Sequence, residues 1–396
     1  MKKINTLELH CIDYILCNIE KIKDMDEWLK SSNYSISLKH KILKRLLNIH
    51  DPPFSFPTHI PPNPSARLIE KVFCYESTSE LDLSNVPFWM IKNVDQFRFL
   101  SNARNIRSFS LSKFPSLTSD LVYQYLELIG EQLLVLDLSR CPLLNDSVIH
   151  YVSHLCPNLQ HLILEDCSGI FGSIFQRSIT INNNDTLIKA TNIASLTSAP
   201  HTWLMKKMSN LLELNISGCK SITPRNLFTL KTCFPCLRVF SFGKTFLSDE
   251  EGVNLVQALP ATLVSLDLSF NPIGTNTLKA LVPSTKNWTT FNLKSLSLGY
   301  CRVITALDLS YVIIGLSSSL EYLSIPGCFQ LDKGLFDNLM MLNRNDRMAL
   351  KTLDISYCSQ FTTHTFNHLQ NLLACKDQFN ILRYNSQGFT HHHIWS

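Results

Sequence analysis

The frame Leu-x-x-Leu-x-Leu-x-x-Cys, first complete at residues 133–141, returns at 159–167, 211–219, 293–301, 320–328 and 350–358. Asn271 takes the cysteine's place in 263–271, and Thr245 does so in 237–245. Weaker copies start at Ile106 and, earlier, carry Leu81 and Leu83. Successive ninth positions lie 26 to 30 residues apart, except for a single step of 52 from Cys167 to Cys219. That step is twice 26, so a degraded copy or an insertion is expected between Ser168 and Asn210. A fixed step of this length constrains the fold more than the total length does. Each unit is too small to bury its own apolar face, so the units must stack on one another.

Within a copy, the Leu-x-Leu alternation is a strand signal, with leucines pointing inward and the intervening residues facing outward. The ninth residue closes the strand, where a small side chain with modest hydrogen-bonding capacity turns under the backbone; Cys, Asn271 and Thr245 all meet that need. A helix is expected next. After Cys219, Thr223 reads as an N-cap with Pro224 at the first helical position, ahead of Leu227, Leu230 and Phe234. After Thr245, Ser248 and Glu251 have capping-box spacing. After Cys141, Asn145 or Asp146 should cap a helix burying Val148, Tyr151, Val152 and Leu155. Pro157, Pro235 and Pro260 stop these helices before the next strand. Phe379, Leu382 and Tyr384 read as a degenerate terminal copy, placed as positions one, four and six. Strand plus helix in each step gives an α/β solenoid, a curved horseshoe with a parallel sheet on its concave face and helices on its convex face.

Composition narrows the function. Hydrophobic residues make up 45% of the 396 and charged residues only 17%, which suits a well-buried array. The net charge of +4 is mild and no dense basic stripe runs along the chain, so nucleic acid is not an expected partner. No run of about 18 uncharged apolar residues predicts a membrane span, and no export signal follows Met1. Thirteen cysteines, six of them at the ninth position, then read as buried reduced thiols in the cytosol or nucleus.

These copies resemble the cysteine-containing subclass of leucine-rich repeats, found in F-box receptors and in the antagonist of mitotic exit network family. The subclass continues past the cysteine with Ile or Leu and then Thr or Asp, as in Cys219, Ile222 and Thr223 here. The resemblance covers roughly residues 80–390. It implies a protein substrate on the concave face and an N-terminal helical box joining the array to a cullin ubiquitin ligase.

Six prolines between Asp51 and Ser65 set off the first 50 residues. The chain therefore divides into a helical segment at 1–50, a Pro-rich linker at 51–66 and a repeat domain at 67–396. Two helices are expected in the first segment, over 7–22 and 38–49. The first has one apolar stripe through Leu7, Cys11, Tyr14, Ile15 and Ile22, and a second through Leu9, Ile12, Leu16 and Ile19. A capping helix needs one stripe; two suggest contact with another protein as well. Thr6, Leu7, Cys11 and Ile15 resemble the elongin-binding box of von Hippel-Lindau-type receptors, which implies an elongin C or Skp1-type adaptor and a cullin as partners. The proline usual before the second helix of such a box is replaced by Ser37. The other reading of residues 1–50 is a helical cap for the solenoid.

No nucleophile elbow, phosphate loop or metalloprotease motif is present, so no catalytic residue, cofactor or metal site is assigned. Cys233 and Cys236 form the sole CxxC, without a second pair at zinc spacing. Asp137, Asp267 and Asp354 share one position in their copies and read as hydrogen-bonding groups of the sheet. The expected function is a non-catalytic binding receptor, monomeric within a complex. Its candidate partner-binding residues are Arg140, Phe270, Tyr300 and Tyr357, each just before a ninth position, with His161 and Tyr322 on strands. Aromatics and Arg are the usual hot-spot types, and the aromatic copies adjoin. A binding patch and a rim that merely stacks on itself are both consistent with that pattern.

Overall fold

The computed structural model describes residues 79–84, 91–92, 94–102, 105–173, 208–282, 291–328, 330, 349–358 and 380–382. Residues 1–78 lie outside it, and with them the box residues Thr6, Leu7, Cys11 and Ile15, the Pro-rich linker and both N-terminal helices.

Eleven three-residue strands form a single parallel sheet in strict chain order. They are β1 (Glu80–Asp82), β2 (Ser108–Ser110), β3 (Val135–Asp137), β4 (His161–Ile163), β5 (Glu213–Asn215), β6 (Val239–Ser241), β7 (Ser265–Asp267), β8 (Ser295–Ser297), β9 (Tyr322–Ser324), β10 (Thr352–Asp354) and β11 (Asn380–Leu382). Helices alternate with the strands: α1 (Ser119–Ile129), α2 (Ser147–Leu155), α3 (Leu230–Cys233), α4 (Asp249–Ala258), α5 (Thr275–Leu281) and α6 (Ala306–Gly315). Strands pack about 4.8 Å apart and helices about 8–10 Å apart. The helical layer therefore follows the longer arc, which puts the sheet on the inner side of a leucine-rich repeat solenoid.

The core sits between the two layers. In the copies described in full, positions one, four, six and nine are buried, as Leu133, Leu136, Leu138 and Cys141 are. At about 2 kcal/mol per buried Leu, this stack is the main source of cohesion between copies. The N-terminal copies add Tyr125, whose hydroxyl donates to the Ile91 carbonyl at 2.9 Å beneath Phe97 and Phe109.

The ninth side chain has a defined task. Each cysteine thiol there donates to the sixth-position carbonyl of the preceding copy: Cys141 to Leu111 at 3.3 Å, Cys219 to Leu164 at 3.0 Å and Cys358 to Ile325 at 3.2 Å. Asn271 does the same through its amide, reaching the Phe242 carbonyl at 2.8 Å. Thr245 instead donates to Phe242 of its own copy at 3.1 Å. Burial pushes the Cys141 thiol up to about 11 and the Cys301 and Cys328 thiols up to about 12, so all remain neutral donors. No disulfide joins the cysteines among the described residues, and Cys236 alone of them is exposed.

Helix starts follow the sequence signals closely. Ser248 and Glu251 form the capping box of α4 (Ser248 N–H to Glu251 Oε2, 3.1 Å), and Thr305 with Asp308 forms another on α6. Asn145 caps α2 by accepting the Ser147 N–H at 3.0 Å. Asp146 reaches into the next copy instead, accepting the N–H groups of Phe171, Gly172 and Ser173. Asp249 repeats this device. It accepts from Gly274 N–H at 2.8 Å, Asn276 N–H at 3.0 Å and Thr277 N–H at 2.8 Å, and so caps α5 of the following copy. Partial burial would raise the Asp249 carboxyl, but these hydrogen bonds outweigh it and hold the group below the usual carboxylate range.

Two sequence expectations are corrected. The helix after Thr223 is interrupted: a 3-10 turn covers Pro224–Asn226, and only Leu230–Cys233 is α-helical. The β-branched Thr229 and Thr232 weaken the run, and the Thr232 hydroxyl bonds back to the Thr229 carbonyl at 2.7 Å. In the terminal copy, Ile381 pairs with Leu353 and buries, so the frame lies one residue earlier than the spacing of Phe379 and Leu382 suggests. Both neighbours are apolar there, and the ladder rather than composition sets the register. Separately, β4 pairs directly with β5 (His161 with Glu213), so the 52-residue step is one step of the sheet. Residues 174–207 fall outside the described set.

Two outcomes follow from these bonds. Cys301→Ala should remove one of two donors to the Leu268 carbonyl, the Asn271 amide remaining at 3.1 Å, and cost about 0.5–1.5 kcal/mol in urea unfolding; Cys301→Asn should recover part of it. Asp249→Ala should cost about 1 kcal/mol, the usual value of a cap. Because the folded pKa of Asp249 is depressed, its contribution is complete above the unfolded carboxylate range and disappears as pH falls through the folded value. The stability gap between the native protein and Asp249→Ala should therefore shrink on acidification; a gap independent of pH would contradict this.

Candidate functional site

Beyond each strand the chain must turn off the sheet, and three copies with Asp at the fifth position do so in the same way. The fifth-position side chain accepts the seventh residue's N–H in an Asx turn: Asp137 from Ser139 at 2.9 Å, Asp267 from Ser269 at 2.9 Å and Asp354 from Ser356 at 3.0 Å. The Asp column is thus engaged in turn formation. The eighth residue then enters the left-handed region, with φ of 59° at Arg140, 56° at Lys244, 61° at Phe270, 58° at Tyr300 and 58° at Tyr357. Its N–H extends the ladder to the seventh carbonyl of the next copy, as from Phe270 to Gly299 at 2.7 Å and from Tyr300 to Pro326 at 2.6 Å.

Glycine suits this backbone, and Gly218 (φ 73°) and Gly327 (φ 63°) occupy the same position in their copies. An L side chain there costs on the order of 1 kcal/mol. Aromatic residues nonetheless hold it in the C-terminal half, with Phe270 46% and Tyr357 48% exposed. Phe246, two residues beyond Lys244, is also left-handed (φ 60°) and 66% exposed. Half-exposed rings gain little from burial, so packing alone does not explain their retention at strained positions.

The rings are organised. Phe270 and Tyr300 stack, with centroids 4.5 Å apart and planes 14° from parallel. The Lys244 ammonium covers Phe270 at 5.7 Å, and Lys220 covers Phe246 at 5.1 Å. Tyr300 lies down over Gly327, where an added Cβ would come within 2.4 Å of its ring. Tyr357 follows one copy further on; burial first, then Tyr357 and Asp354, raise the Tyr300 hydroxyl.

The remaining candidate residues do not join this cluster. Arg140 occupies the same rim towards the N-terminus, exposed and 4.0 Å from Asp166. His161 and Tyr322 sit at the first residue of β4 and β9, the opposite end of the strands from the rim. His161 contacts Glu213 of the neighbouring strand at 2.8 Å. Near Tyr322, Glu321 lies between Lys294 (2.9 Å) and Lys351 (2.6 Å), whose hydrogen bonds hold its carboxyl down at about 2 despite slight desolvation.

Phe246, Lys220 and Lys244 were not anticipated from the sequence. Their signal was the repeat step itself, since Lys220 and Phe246 occupy one position in successive copies, as do Lys244 and Phe270. Among the described residues no group of three or more His, Cys, Asp or Glu is placed to hold a metal, and no helix is long and apolar enough to cross a membrane.

A family model described as a leucine-rich repeat matches residues 260–282. Among solved structures, the chain is similar to one in the Rad7 and Elc1 complex in yeast, at 15% identity over 92% of this chain and 91% of that one, with a TM-score of 0.40. It is also similar to an internalin from Listeria monocytogenes, at 14% identity over 80% and 85% of the two chains, with a TM-score of 0.35. A chain of the TLR13–ssRNA13 complex matches at 14% identity over 66% of this chain and 44% of that one, with a TM-score of 0.27. The fold assignment rests on the repeat geometry described above.

The steric relation of Tyr300 and Gly327 can be measured. Gly327→Ala should destabilise by about 1–2 kcal/mol through left-handed strain, plus a contact term with the Tyr300 ring. In a double-mutant cycle with Tyr300→Ala, the contact term should vanish and the backbone term remain. Strict additivity would place the ring away from Gly327.

Proposed function

We propose that this chain is a non-catalytic protein-binding receptor, serving as the substrate-recognition subunit of a cullin-RING ubiquitin ligase in the cytosol or nucleus. The observation that carries the binding role is the set of exposed aromatic side chains kept at left-handed rim positions in neighbouring copies. Strained residues that add little to packing mark places where a surface is used. Phe270, Tyr300 and Tyr357 are the central contacts on this reading, with Arg140, His161 and Tyr322 contributing from the rest of the concave face and its rim.

The ligase role is supported by the sequence: the cysteine-containing repeat frame and the Thr6, Leu7, Cys11 and Ile15 pattern ahead of it. Residues 1–50 would engage an elongin C or Skp1-type adaptor, with 51–66 as a spacer before the repeat domain at 67–396. One chain per complex presents the substrate.

Pull-down of the intact chain with elongin B/C and with Skp1 tests this. One adaptor should be retained, and Leu7→Asp or Cys11→Asp should weaken capture at least about tenfold, the loss typical of an anchor residue, with the melting temperature unchanged. No capture by the intact chain, or capture indifferent to both substitutions, would falsify the ligase role. Aggregation on deletion of residues 1–50 would instead assign that segment to capping the solenoid.

A further inference from the structure

The rim's own charges restrict what it can bind, and this step rests on the rim being the binding surface. An exposed aromatic face attracts cations through its quadrupole. On Phe246 and Phe270 the chain already places an ammonium over the ring, from Lys220 and Lys244. An incoming Lys or Arg would meet like charge at both. The strand-start edge of the same half points the same way, with two ammoniums, Lys294 and Lys351, sharing the one carboxylate of Glu321.

The nearby carboxylates are hydrogen-bonded or ion-paired, Asp166 with Arg140 at 4.0 Å. Asp267 and Asp354 each turn one oxygen to the N–H of their own Asx turn, and the second oxygen of Asp354 accepts from the Ser324 hydroxyl at 3.2 Å. Glu165 stands 3.9 Å from Lys244 with both groups partly in solvent, a pair weak enough for another carboxylate to displace. Between the two edges several outward strand residues are small, namely Ser265, Ser295, Ser297 and Ser324, so a partner backbone can approach closely beside them.

We propose that this rim recognises an acidic peptide segment, its carboxylates meeting Lys220 and Lys244 and its apolar side chains resting on Phe246, Phe270, Tyr300 and Tyr357. The lysines supply charge selection and encounter rate, and the rings supply residence.

Selection of a random dodecapeptide display library against the full chain tests the proposal. Enriched peptides should combine Asp or Glu with apolar residues, and their binding should fall about tenfold on Lys220→Glu or Lys244→Glu and on Phe270→Gly. Melting curves of each variant establish that the array stays folded. Peptides that need Phe270, Tyr300 or Tyr357, yet are neutral or basic and indifferent to the lysine reversals, would overturn the acidic class while leaving the rim as the binding surface. Tighter rim binding by oligothymidylate than by the selected peptides would also overturn it, in favour of a nucleic acid. The absence of any peptide dependent on the three aromatics would overturn both the inference and the rim reading.

Discussion

The hydrogen bond from each ninth-position cysteine, and from Asn271, to the sixth carbonyl of the copy before it holds the array in register. A carbonyl at that depth is out of reach of water, and leaving it unpaired would cost about 1–3 kcal/mol per copy. Cysteine fits because the thiol is small, apolar in bulk and still a donor, and burial keeps it protonated: the Cys219 thiol is pushed up to about 12. Asn271 fits because its amide reaches both Phe242 and Leu268, while its oxygen takes the N–H groups of Thr245 and Leu247. The same contact that joins two copies also fixes where the strand ends. The residue immediately before the ninth position is left-handed in each of these copies.

The helical side is joined by a different chemistry. Asp146 and Asp249 each cap the next copy's helical turn through backbone N–H groups. At these two junctions one edge is thus closed by a neutral thiol or amide reaching backwards, and the other by a carboxylate reaching forwards.

The buried frame was legible in the sequence because it is periodic: Leu133, Leu136, Leu138 and Cys141 bury as their spacing requires, and so do their counterparts in later copies. Caps with reciprocal chemistry, such as Ser248 with Glu251, were legible for the same reason. Signals failed where neighbours were chemically alike, as Ile381 and Leu382 are, or where propensity opposed the pattern, as at Thr229. The rim was only half legible. Phe270, Tyr300 and Tyr357 stand out as large residues, but the left-handed backbone beneath them does not, since Lys, Arg, Asp and Gly share the position. The lysines over the rings depend on geometry between copies, which a single copy does not contain.

The even spacing of the rim bears on how long a partner can stay in step with it. Rings on adjacent copies repeat at roughly the strand separation of about 4.8 Å, whereas same-face side chains of an extended peptide repeat at about 6.6 Å. The measured 4.5 Å between Phe270 and Tyr300 agrees with the shorter period. Two such rulers coincide only about every fourth copy, as on a vernier scale. A partner in step with the rim at Phe270 is therefore most out of step two copies on, at Gly327, the bare position between Tyr300 and Tyr357, and nearly back in step at Tyr357.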